Sequence, residues 1–115
     1  MQRSVFKILT QSQWHDARVN GRFDGSRDDI RDGFIHLSTA KQVRATVVRH
    51  FSGEPDLVML AIDPARLGAD LCWEPSRGGD LFPHLYGSLQ LCDATDSFLL
   101  PIGPDGAHEF PGNIP

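Results

Sequence analysis

Apolar and polar residues run along this chain in patterns that mark out a series of strands and helices. Val5-Phe6-Lys7-Ile8-Leu9, rich in β-branched and aromatic residues, predicts a strand with one lysine in its middle. Thr10 through Val19 predicts a helix with Trp14 and Ala17 on its apolar side, closed by Asn20-Gly21, with His15 and Asp16 facing solvent. Gly21 to Arg31 is polar and reads as a loop with a helical turn near Arg27–Arg31. A strand over Phe34–Leu37 follows. Ala40, Val43, Val47, Val48 and Phe51 then recur at helical spacing and predict a helix over Ala40–Phe51, ended by Gly53 and Pro55.

Leu57-Val58-Met59-Leu60-Ala61-Ile62 is unbroken and of strand length, which predicts a central strand covered on both faces. Asp63-Pro64 breaks it, and Pro64–Leu67 has the character of one helical turn. Shorter strands are expected at Asp70–Glu74, within Leu81–Gly87, at Leu89–Leu91 and at Ser97–Leu100. Pro75 to Asp80 reads as a flexible loop. The order is strand, helix, strand, helix, then mostly strands. It predicts one α+β domain over residues 1–102, with the helices in its N-terminal half, and a Pro/Gly-rich tail or surface strap over 103–115.

Composition narrows the classes. With 115 residues, 40% of them hydrophobic and 23% charged, the chain is of ordinary globular type. A net charge of −4 argues against a general nucleic-acid binder and so against DNA as a partner. Arg18, Arg22, Arg27 and Arg31 are interleaved with Asp24, Asp28, Asp29 and Asp32, which reads as a solvated mixed-charge segment. Cys72 and Cys92 form no close pair and read as reduced, buried thiols of a cytoplasmic protein. No apolar run approaches the roughly 20 residues that span a bilayer.

Two stretches carry candidate chemistry. In Asp32-Gly33-Phe34-Ile35-His36-Leu37-Ser38-Thr39, alternation sends Ile35 and Leu37 to one face and Phe34, His36 and Ser38 to the other. The T-x-x-Q spacing of Thr39 and Gln42 predicts a capping box, with the helix N-terminus beside His36 and Ser38 as an anion site. In Leu81-Phe82-Pro83-His84-Leu85-Tyr86-Gly87 the residues Phe82, His84 and Tyr86 again share a face. If the two strands are neighbours, His36, His84, Ser38 and Tyr86 line one cleft; otherwise each histidine is a packed strand residue. Glu74, ending a strand, is a candidate base or hydroxyl partner or an ordinary rim carboxylate. Arg77 is a candidate phosphate clamp or a mobile surface arginine. Lys7 is an edge or snorkelling lysine, or one placed at a cleft. No ligand spacing suits a metal, and there is no Walker A, G-x-G-x-x-G or nucleophile elbow.

The run G-F-I-H-L-S-T-x-x-Q-V, then L-V-x-L-x-I-D at Leu57–Asp63, W-E at Trp73-Glu74 and F-P-H-L-Y-G at Phe82–Gly87 resembles a small bacterial family, domain of unknown function 952. The resemblance spans nearly the whole chain to about Asp93. That group is similar in fold to the ADP-ribosyltransferases, which implies a split, mostly antiparallel sheet with helices packed on it and NAD as a possible cofactor. Its F-I-H-L-S strand is similar to a segment of the RNA 2′-phosphotransferase. By position, the resemblance implies Lys7 near the first NAD-holding site, Phe34, His36 and Ser38 at the second, and His84 near the third. Lys7 stands where the group tends to have histidine, and His84 where the transferases have an acid, unless Glu74 supplies it from an adjacent strand. The expected function is a cleft for a nucleotide-like or anionic small molecule. Lys7, Phe34, Ser38, Arg77 and Tyr86 would bind the ligand, and His36, His84 and Glu74 would act on it as a transferase. The alternative is a non-catalytic module on the same scaffold, binding a metabolite or a protein.

Overall fold

A computed structural model describes residues 3–112 and 114; the side chain of Arg77 lies outside the described residues. In chain order the elements are β1 (Val5–Thr10), α1 (Gln11–Asn20), β2 (Arg22–Phe23), α2 (Arg27–Asp32), β3 (Ile35–His36), β4 (Ser38–Thr39) and α3 (Val43–Phe51). Then come β5 (Leu57–Ile62), β6 (Leu71–Pro75), β7 (Leu81–Leu85), β8 (Leu89–Gln90) and β9 (Ala94–Leu100), with short 3-10 turns between several of them. The fold is α+β, and the strand pairings are antiparallel.

β5 is buried at all six positions, as its unbroken apolar run requires, and lies inside a four-stranded sheet of order β4-β1-β5-β9. A three-stranded sheet of order β3-β7-β6 is separate from it, and β2 and β8 form a small third pairing. One extended segment joins the two larger sheets. Its first half, Ile35–His36, pairs with β7, and its second half, Ser38–Thr39, pairs with β1. Between them the Leu37 amide donates to the carbonyl of Pro83 at 3.1 Å while its side chain is buried. The two sheets part at that point.

Period-two alternation in β1 and β5 builds a core on each face of the larger sheet. Val5, Leu9, Val58, Leu60 and Ile62 meet Ile35, Leu85 and Leu89, together with Ala17 of α1. Phe6, Ile8, Met59 and Ala61 meet Val43 and Val47 of α3. Burying a side chain of this size contributes about 1.5–3 kcal/mol, so β5 alone is a large share of the stability. Residues past Leu100 return as a strap. Ile102 bridges His108, the His108 ring lies 2.6 Å from the Glu54 carbonyl, and Phe110 and Ile114 pack on the second core.

Several expectations need correction. The helix expected over Ala40–Phe51 begins at Val43. Pairing with β1 keeps Ser38 and Thr39 extended, and Gln42 uses its side chain to accept the Thr39 amide at 3.0 Å before the helix starts. Thr39 is therefore not the N-cap; α3 starts at Val43, and Thr46 in its first turn meets the Ser38 hydroxyl at 2.9 Å. The helical turn expected near Arg27–Arg31 is the six-residue α2, with a full capping box between Ser26 and Asp29, while the loop expected before it contains β2. The last strand starts at Ala94 rather than Ser97. Neither thiol is buried: Cys72 is half-buried and Cys92 exposed. Among the described residues, no helix is long and apolar enough to cross a membrane.

Candidate functional site

β3 and β7 pair antiparallel with His36 directly opposite His84, and His84 is in turn opposite Cys72 on β6. Residues directly opposite in a sheet point to the same side, so alternation brings Phe34, His36, Phe82, His84 and Glu74 to one face. Of these, His36, Phe82 and His84 form one wall of a cleft of about 470 Å³. The other walls come from β1, α2, the last turn of α3 and the Ser76–Gly78 turn.

Lys7 is neither an edge nor a snorkelling residue. It is 6% exposed, and its Nζ donates to Asp29 Oδ2 at 2.9 Å, Asp29 Oδ1 at 3.2 Å and the His36 carbonyl at 3.1 Å. Burial pulls its pKa below the ordinary lysine value, opposed by Asp29. Asp29 also departs from the solvated segment expected around it, being only 2% exposed. Its carboxylate accepts from the Ser26 and His36 amides at 2.9 and 3.1 Å and lies 2.7 Å from His36 Nδ1. Burial alone would raise the Asp29 pKa; the His36 ring, the Lys7 ammonium and the Ser26 amide outweigh it and hold the carboxyl well below the usual range. Asp29 therefore pins β1, α2 and β3 together, with Lys7 as its counter-ion.

His36 is clamped from both sides. Nδ1 meets Asp29, and Nε2 lies 2.9 Å from Asp32 Oδ2. Ionised carboxylates only accept, so both contacts are satisfied at once when the ring carries two N–H groups. Asp32 is itself held below the ordinary carboxylate value, first by Arg31 and then by His36.

His84 is only 5% exposed, and its surroundings differ. Its Nδ1 lies 2.8 Å from Glu74 Oε1, and the same oxygen accepts the Tyr86 hydroxyl at 2.7 Å. The Tyr86 and His84 hydrogen bonds hold the Glu74 carboxyl below its ordinary value, and Glu74 in turn raises the Tyr86 phenol. An anionic Glu74 requires a proton on Nδ1, so in the neutral ring the lone pair is on Nε2. Among the described residues Nε2 has no partner. Phe34 stacks on the His84 ring at 4.0 Å, against Tyr86 at 5.4 Å and His36 at 4.6 Å.

Ser38 lies in the cleft wall with its hydroxyl 2.9 Å from that of Thr46. The backbone of Arg77 lies in the turn over the cleft; its side chain lies outside the described residues. The structure thus brings together His36, His84, Glu74, Tyr86, Phe34 and Ser38, and places Lys7 behind them in an ion pair.

Three contributors are absent from the expected set. Asp29 had a signal in the S-x-x-D spacing from Ser26, a capping box before Ile30. Asp32 opens the first candidate stretch. Arg49, in the last turn of α3, lines the cleft exposed and without a partner among the described residues. Nothing local in the sequence marks it.

The model of a protein family of unknown function, DUF952, matches residues 8–97. The crystal structure of protein CC0527 from Caulobacter crescentus is similar over 92% of this chain and 93% of that one, at 43% identity and a TM-score of 0.89. The solution NMR structure of CC0527 is similar over 90% of each chain, at 44% identity and a TM-score of 0.82. No curated protein matches. With most of its length matched by the family model, the chain belongs to the DUF952 family.

Proposed function

We propose that the cleft binds an anionic, nucleotide-like small molecule of the NAD or ADP-ribose type on an ADP-ribosyltransferase-like fold, and that His84 moves a proton at the bound ligand. The observation that carries this reading is the Tyr86–Glu74–His84 relay, which leaves Nε2 facing a cleft with no partner among the described residues. Its volume of about 470 Å³ falls in the range of small-molecule sites. Arg49 supplies an open guanidinium for a phosphate. Phe82 adds an apolar surface and Ser38 a hydroxyl at the wall. In a transfer from NAD, Nε2 would take the proton of the incoming hydroxyl as its oxygen attacked the sugar carbon that carries nicotinamide, and the C–N bond would break with nicotinamide leaving with the bonding pair.

Thermal unfolding with NAD and with ADP-ribose tests the reading. A ligand bound only by the folded state at 100 times its dissociation constant adds about 2.7 kcal/mol. The shift should be present in the wild type and lost in His84→Gln and Arg49→Ala, each checked to unfold cooperatively without ligand. No shift with either ligand, or one indifferent to both substitutions, would sink the assignment.

One observation favours a binding module without catalysis. Lys7 and both nitrogens of His36 are engaged within the protein, so of these three side chains only His84 is free to exchange a proton. NAD hydrolysis or transfer abolished by Glu74→Gln would decide for the enzyme; ligand stabilisation with no turnover would decide for the module.

A further inference from the structure

A second cleft, of about 650 Å³, opens on the other side of the segment that joins the sheets. Alternation places it there. Ser38 lines the first cleft, while its neighbour Thr39 lines the second together with Trp73, which alternation on β6 turns to the opposite face from Glu74. Leu71 lies beside Trp73 in the wall, and Arg3 and Lys41 stand at its rim.

Three features set this cleft apart from ordinary surface. Trp73 is 46% exposed, although an indole of its size is normally covered. Arg3 and Lys41 are both exposed and neither has a partner among the described residues. No carboxylate lines the cleft among the described residues, in a chain whose net charge is −4. An open aromatic face beside two uncompensated cations fits a planar ring that carries negative charge.

We propose that this cleft is a second ligand site, taking a free nucleoside monophosphate with its base stacked on Trp73 and its phosphate held by Arg3 and Lys41. Two cations match the charge of one phosphate monoester. The acidic surface elsewhere disfavours a longer strand, whose further phosphates would meet repulsion.

The test reads Trp73 directly. The sequence has two tryptophans, so Trp14→Phe leaves Trp73 as the sole indole emitter. Adenosine monophosphate should quench its emission saturably, while adenosine and inorganic phosphate should each bind at least tenfold more weakly, a difference of about 1.4 kcal/mol. Arg3→Ala with Lys41→Ala, both on the surface, should weaken the monophosphate by a similar factor. His84→Gln and Arg49→Ala should leave it unchanged, which separates this cleft from the histidine cleft whether or not that one binds nucleotides. The proposal fails if quenching does not saturate, if the double substitution has no effect, or if quenching vanishes in His84→Gln. Tighter binding of a single-stranded oligodeoxyadenylate than of the monophosphate would also overturn it.

Discussion

His36 and His84 face each other across the β3–β7 pairing with ring centroids 5.8 Å apart, yet they are held by different carboxylates for different ends. His36 lies between Asp29 and Asp32 with both nitrogens engaged. Among the described residues His84 is bound at one nitrogen, by Glu74. The same residue type, placed in register on adjacent strands, is thereby divided into a clamped ring and an open base. Division by environment of this kind is how one site holds groups with separate tasks.

The Lys7–Asp29 pair holds three elements together, and removing one partner strands the other. Asp29→Ala should lower stability by about 3–5 kcal/mol in urea unfolding, because it leaves a buried ammonium uncompensated. Lys7→Met combined with Asp29→Leu should recover much of that loss, since it removes both charges. If Asp29→Ala costs no more than an average surface substitution, the pinning role is wrong.

Acid stability should report on the same carboxyl. The Asp29 pKa is depressed in the folded state, against about 3.9 for a free aspartate. Its contribution is therefore present in full above about pH 4 and is lost as pH falls from there towards the folded value. Melting temperatures measured between about pH 5 and pH 2 should fall, and Asp29→Asn should flatten the part of the slope that this group supplies.

The tautomer of His84 is directly observable. Ring nitrogen chemical shifts should show a protonated Nδ1 and a bare Nε2 in the neutral ring, and Glu74→Gln should mix the two tautomers. Tyr86→Phe removes one of the bonds that lower Glu74, so the Glu74 carboxyl should titrate at higher pH in that variant. An unchanged Glu74 titration in Tyr86→Phe would break the relay at its first link.

Two leucines test the layering of the larger sheet. Leu60 is fully buried in β5, and Leu60→Ala should cost about 2–5 kcal/mol. Leu99 on β9 is 66% exposed, and Leu99→Ala should change stability by about 0.5 kcal/mol or less. Equal effects would mean that β9 is covered in solution.

Much of the scaffold was legible because it is local. The apolar run Leu57–Ile62 named the central strand, and Thr10 to Asn20-Gly21 the first helix. The shared spacing of Phe34-x-His36 and Phe82-x-His84 marked the two strands that pair. The start of α3 was misplaced because Thr39 and Gln42 satisfy a local capping pattern that pairing of Ser38 and Thr39 with β1 overrides.

The sequence by itself determined which residues alternate onto which face, since that depends only on the two-residue period of a strand. It thereby selected His36, Ser38, His84 and Tyr86 as candidates. Only the tertiary structure decided what each of them does. Asp29 and Lys7 are 22 positions apart, and His84 and Glu74 are 10 apart. The Ser26-x-x-Asp29 spacing marks Asp29 as a capping residue, but nothing local says that its carboxylate is buried while that of Asp28 beside it is exposed. Whether a charge is covered, and which nitrogen of a histidine is engaged, depends on long-range packing that brings distant backbone together; side-chain type and spacing carry no record of it.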